Sequence, residues 1–227
     1  MIDLVLRSAI LFFFVLLSLF SFSQQSHFIL AIGDSHGAEE MGWVNQLRKL
    51  RPTDSIMNVA VSGNTIGFDN LGKESLNELS NINDHLSEAN KVGKRIDYII
   101  LLLGTNDCKA IFDSLQHEVA QNLDKLIRMV RMFRYQQQEP PVIILATPPP
   151  IDVDEKLEPK YFGSLNRLKK LLPIYQSTAK KYNCSFVNVY DHLSKDFPSI
   201  SKDGVHLTED GYKKIALLLN KQISQRR

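Results

Sequence analysis

The sequence predicts an α/β protein, a doubly wound three-layer sandwich built on a five-stranded parallel sheet. Three observations predict it. Five short runs rich in β-branched and apolar residues recur along the chain. Most of them are apolar at consecutive positions, as strands covered on both faces must be. The segments between them repeat apolar residues at helical spacing, and strands that alternate with helices give parallel sheets.

The elements follow in order. The strand candidates are residues 27–32, 55–61, 98–103, 142–147 and 185–190. The clearest helix carries Val119, Leu123, Leu126, Ile127, Val130 and Phe133 on one stripe. A second carries Tyr212, Ile215, Ala216, Leu219 and Ile223, with Thr208 positioned as its N-cap. Leu165, Leu168 and Leu172 mark a third, which Pro173 is expected to kink or divide. No internal repeat, low-complexity linker or second domain interrupts the pattern, so residues 24–227 are expected to form one domain.

The chain has 227 residues, 44% hydrophobic and 23% charged, with a formal charge of +2. That balance suits one well-buried core. Its basic residues are dispersed, whereas a nucleic-acid binder concentrates them on one face, so polyanion binding is not indicated. Residues 1–23 read as a signal peptide. Arg7 supplies the positive region, residues 9–20 the apolar region and Ser21-Phe22-Ser23 the small-residue cleavage site. The apolar stretch falls short of the roughly 20 residues that span a bilayer, so export is expected without a stable membrane anchor. Cys108 falls past the carboxyl end of one strand and Cys184 at the start of another. A strand's length exceeds the roughly 7 Å that a bridge tolerates, so two thiols are expected rather than a disulfide.

Ligands of open α/β sheets bind beyond the carboxyl ends of the strands, and the polar motifs lie there. Gly-Asp-Ser-His-Gly (33–37) follows the first run, Ser-Gly-Asn-Thr (62–65) the second and Gly-Thr-Asn-Asp (104–107) the third. Asp-Gly-Val-His (203–206) precedes the last helix. Each alone is ordinary turn chemistry; together they supply what a nucleophilic serine needs. A hydroxyl attacks once a base takes its proton, and the base is a histidine oriented by a carboxylate. Asp203 can reach His206 across one tight turn, leaving the far ring nitrogen for Ser35. Ser35 N–H, Gly63 N–H and the Asn106 amide are the candidate oxyanion donors.

As letters, residues 33–37 also satisfy the nucleophile elbow of α/β-hydrolases. That match is accidental, because the serine follows the first strand and its acid and base lie three residues apart. Instead Ser35, Gly63, Asn106 and His206, with Asp203, resemble the SGNH (GDSL-type) hydrolase superfamily in every motif block and in their order. The stretch 102–110 and the prolines 148–150 are similar to its arylesterase-like branch. The resemblance spans residues 32–212. It implies a flavodoxin-like sheet, Ser35 as nucleophile, His206 as base, Asp203 as orienting acid, Gly63 and Asn106 as oxyanion donors, and no metal or organic cofactor. It departs at His36, where the family carries an apolar residue, and in a short 37–43 loop.

The function expected is an exported serine esterase for short acyl groups, with O-acetylated carbohydrate as the preferred substrate. Alternatives are a lysophospholipase or thioesterase, an acyltransferase, and a non-catalytic glycan-binding protein. His36, Pro149 and Tyr161 are the candidate pocket residues, and His36 is expected either to line the pocket or to face solvent. Residues 151–163 are expected to be a solvated loop, the alternative being a lid carrying Tyr161 and Phe162. Asp34 and Asp107 are expected to brace their loops through backbone N–H groups, Trp43 to anchor the first helix, and His27, His85, His117 and His192 to stand outside the chemistry.

Overall fold

A computed structural model describes residues 26–93 and 95–225; the expected signal peptide lies outside the described residues. The strands are β1 (Phe28–Gly33), β2 (Ser55–Asn58), β3 (Tyr98–Leu102), β4 (Val142–Ala146) and β5 (Ser185–Val187). They form one parallel sheet in the order β2-β1-β3-β4-β5. The helices are α1 (Ser35–Ala38), α2 (Trp43–Leu50), α3 (Glu78–Gly93), α4 (Gln116–Met132), α5 (Ser164–Lys181), α6 (Val189–Ser194), α7 (Phe197–Ile200) and α8 (Glu209–Ser224).

Strand side chains alternate between two cores. Leu30, Ile32, Ile99, Leu101, Ile143 and Leu145 pack against α3, α4 and α5. Ile29, Ala31, Ile100, Leu102, Ile144 and Ala146 pack against α2 and α8. Both sheet faces are thus buried, which is why the runs read as continuously apolar. The stripes foreseen on α4 and α8 are the buried ones, apart from Phe133, which lies just past α4. Thr208 caps α8, its side chain accepting from Gly211 N–H.

The expected elements are corrected at three places. Two strands stop early. Asn58 Oδ1 accepts from Ala60 N–H at 3.0 Å and ends β2, while Asn188 Oδ1 accepts from Asp191 N–H at 3.0 Å and starts α6, so Tyr190 is helical. Pro173 does not divide α5. It stands on the exposed side, as does Lys169, whose carbonyl it deprives of an N–H and which water can serve. The buried face of α5 is accordingly Leu168, Leu171 and Tyr175. Cys108, buried, and Cys184, half-buried, form no disulfide.

The amino edge of the sheet is tied by a buried ion pair. Arg51, 2% exposed, pairs with the buried Asp54 carboxylate and donates to Asn220 Oδ1 at 2.9 Å. Asp54 also accepts from His27 N–H at 3.1 Å, which fixes the entry to β1. Arg51→Ala would strand the carboxylate, so unfolding in urea should show a loss of about 3–5 kcal/mol. A loss below about 1 kcal/mol would mean that the cluster is not a structural tie.

Candidate active site

β1 and β3 are neighbours, yet their connections leave in opposite directions, to β2 and to β4. A crevice forms at such a switch point, and it brings the loops after β1, β2 and β3 together. Asp34 ends β1 and caps α1 by accepting from His36 N–H at 3.0 Å, which places Ser35 as the first helical residue. Its Oγ lies 3.1 Å from His206 Nε2. Behind the ring, Asp203 Oδ2 lies 2.7 Å from Nδ1.

Asp203 and His206 are held by a turn rich in hydrogen bonds. Asp203 Oδ1 accepts from Val205 N–H at 2.9 Å and from His206 N–H at 2.7 Å. Lys202 N–H donates to the His206 carbonyl at 2.8 Å. Partial burial works against the Asp203 charge, but the His206 ring together with the His206 and Val205 N–H groups outweighs it and holds the carboxyl below its usual pKa. An anionic Asp203 keeps the proton on Nδ1 and leaves Nε2 as the acceptor facing Ser35.

Gly63 has φ +88°, a conformation that favours glycine. Asn106 opens a short 3-10 turn after β3, and its Nδ2 donates to the Asn64 carbonyl at 3.0 Å, using one of two amide hydrogens. Beside it, both Asp107 oxygens lie 3.0 Å from Ile66 N, which clamps the β2 and β3 loops together. Burial raises Asp34 and Asp107 to about 7, against the backbone N–H groups they accept from. Both brace loops, as expected.

The pocket residues are placed differently. His36 has no exposure, so it neither lines the pocket nor meets solvent. Its ring centroid lies 5.7 Å from that of His206 and 5.9 Å from that of Tyr212, and burial lowers it to about 3. It occupies the position as a neutral, packed ring. Pro149 is buried. Tyr161 keeps 7% exposure, with Lys109 Nζ 5.7 Å and Lys160 Nζ 5.4 Å from its ring centroid. Residues 151–163 are a mostly exposed loop, as expected, but an anchored one: Ile151, Leu157 and Tyr161 enter the core, and Asp152 N–H donates to the Gly204 carbonyl at 2.8 Å, joining this segment to the Asp203 turn. Trp43 is fully buried at the start of α2.

Sequence reasoning missed Asn64, Glu78 and His85. Asn64 Nδ2 donates to Glu78 Oε2 at 2.8 Å, and Glu78 Oε1 lies 3.0 Å from His85 Nδ1. Among the described residues no cluster of side chains suits a metal ion, and no helix is long and apolar enough to cross a membrane.

The chain is similar to known proteins in sequence and in fold. The profile of the GDSL-like lipase/acylhydrolase family matches residues 30–214. An acetylxylan esterase of Xylanibacter ruminicola is 26% identical over 137 residues, 54% of this chain and 28% of that protein, so the match spans under a third of the relative's length. A carbohydrate acetylesterase family member from Sinorhizobium meliloti superposes with a TM-score of 0.72 at 21% identity, covering 88% of this chain and 98% of that one. The M. smegmatis aryl esterase does so with a TM-score of 0.71 at 21% identity, covering 88% and 99%. With four motif blocks in order on the expected sheet, the chain belongs to the GDSL-like lipase/acylhydrolase family.

Proposed function

We propose that this protein is an exported acetylesterase that removes short acyl groups from O-acetylated carbohydrate through an acyl-enzyme on Ser35. The observation that carries the chemistry is the continuous line from Asp203 through His206 to Ser35 Oγ, at 2.7 and 3.1 Å. Acetyl groups on carbohydrate are favoured by the acetylxylan esterase relative and the acetylesterase neighbour.

The residues divide the reaction as follows. Ser35 Oγ attacks the ester carbonyl carbon while His206 Nε2 takes its proton. The carbonyl oxygen becomes an oxyanion, met by Ser35 N–H, Gly63 N–H and the second Asn106 amide hydrogen. As the C–O bond breaks, His206 gives the proton to the departing alcohol, leaving an acyl ester on Ser35. Water then repeats the sequence, with His206 as base, releasing the acid and restoring the hydroxyl. Asp203 stays anionic throughout and steadies the imidazolium.

Two measurements test this reading. Hydrolysis of p-nitrophenyl acetate should exceed that of the palmitate ester by about ten-fold or more in kcat/KM, since each unaccommodated stretch of chain loses binding. Acetate should be released from O-acetylated xylan. A palmitate ester cleaved as fast as acetate would instead favour a lipid or thioester substrate. Dominant ester formation at low added alcohol would favour acyl transfer.

A further inference from the structure

The oxyanion donor Asn106 is not held by its own loop alone. Its Nδ2 bonds the Asn64 carbonyl at 3.0 Å, and the Asn64 side chain in turn bonds Glu78 Oε2 at 2.8 Å and the Gly33 carbonyl at 3.3 Å. Asn64 is 1% exposed and Glu78 has no exposure. The other oxygen of Glu78 faces His85 Nδ1 at 3.0 Å, and that ring reaches the surface with a fifth of its side chain exposed (21%). Backbone bonds run alongside: Thr65 N–H donates to the Leu76 carbonyl, and Glu78 N–H to the Thr65 carbonyl, each at 3.0 Å.

A fully buried carboxylate is costly to keep, and replacing it by an apolar residue is often neutral or stabilising. Its presence here fits a role beyond stability. Glu78 is the first residue of α3, where a negative charge is favoured. The ring of His85 supplies its second partner. Burial alone would depress that ring, but Glu78, with Glu88 and Asp84 nearby, raises it above its ordinary value. The carboxylate is therefore a fixed, fully engaged post, and the residue it grips is the one whose carbonyl orients Asn106.

We propose that Glu78 is a positioning residue for the oxyanion hole, acting through Asn64 on the Asn106 amide. It touches no substrate atom. Its work is to hold the Gly63–Asn64 peptide and the Asn106 amide in one fixed relation, so that both donors are in place before the oxyanion develops. Donors that must move into place lose most of their advantage, and small misplacements at a reacting centre are costly. The inference rests on the serine-esterase reading of this same site.

The test uses p-nitrophenyl acetate with wild type, Ser35→Ala, Glu78→Leu and Glu78→Gln. Glu78→Leu should lower kcat by about ten-fold with KM within about two-fold of wild type. Glu78→Gln keeps an acceptor for Asn64 Nδ2 and can donate to a neutral His85, so kcat should return to within about three-fold of wild type. If Glu78→Leu lacks a cooperative melt, Asn64→Leu/Glu78→Leu replaces it. Removing both partners together spares the pair an orphaned buried group, since the Gly33 carbonyl keeps the Val61 N–H and the His85 ring reaches solvent, and the same ten-fold loss is expected. A kcat within about two-fold of wild type in the folded variant, or a loss appearing equally in KM, overturns the proposal. Wild type no faster than Ser35→Ala would overturn the serine-esterase reading, and this inference with it. Once that contrast is established, the other outcomes bear on Glu78 alone.

Discussion

Ser35→Ala should lower turnover of p-nitrophenyl acetate by about 10⁴-fold or more, to a residue of activity supplied by the oxyanion donors and binding alone. The size follows from what is lost. With Oγ gone, no covalent intermediate forms, and His206 Nε2 has only water to activate. That water would have to occupy the 3.1 Å gap now spanned to Oγ and attack in a single step. Mass spectrometry gives a second view: wild type should gain a covalent adduct from a fluorophosphonate and the variant should not. Ser35 is half-buried at a helix start, so the variant should melt close to wild type. Retained turnover in a folded Ser35→Ala protein would remove the acyl-enzyme mechanism.

Asn106→Ala should lower kcat by about 10²–10³-fold, the effect of losing one preorganised donor, with KM much less affected. The interaction is weak with a neutral ester carbonyl and strong with the oxyanion, so the loss falls on the transition state. Part of it will come through the loop, because Asn106 also fixes the Asn64 carbonyl. Comparing melting temperatures separates the two contributions: a donor role costs rate without cooperativity, whereas collapse of the β2–β3 junction costs both. A kcat within about three-fold of wild type would exclude Asn106 from the oxyanion hole.

Different parts of the molecule were legible in the sequence to different degrees, for physical reasons. The sheet was readable because strands covered on both faces must be apolar at every position, and 98–102 and 142–146 are. The pairing of Asp203 with His206 was readable because it is local: three residues and one glycine suffice to bring the carboxylate onto the ring. The ends of β2 and β5 were not, since Asn58 and Asn188 stop them through side-chain hydrogen bonds that leave no trace in hydrophobic pattern. The packing of residues 151–163 was hidden because four carboxylates among thirteen residues look solvated, while Ile151, Leu157 and Tyr161 point inward. Glu78 was the least visible. On a helix, a glutamate near a histidine reads as an ordinary polar face, and only the fold brings Asn64 beneath it.

One placement bears on how the serine's neighbourhood can vary. His36 follows Ser35 directly, is sealed from water, and has no hydrogen-bond partner at either nitrogen among the described residues. Held uncharged between Tyr212 and His206, it is a histidine used as a hydrocarbon would be: a flat spacer that fills volume and carries no proton. A second, basic imidazole one residue from the hydroxyl would compete for its hydrogen, and burial rather than residue type prevents this. The apolar residue that the resemblance implies at this place would serve for shape and silence, and an aromatic heterocycle serves for both once it is kept dry.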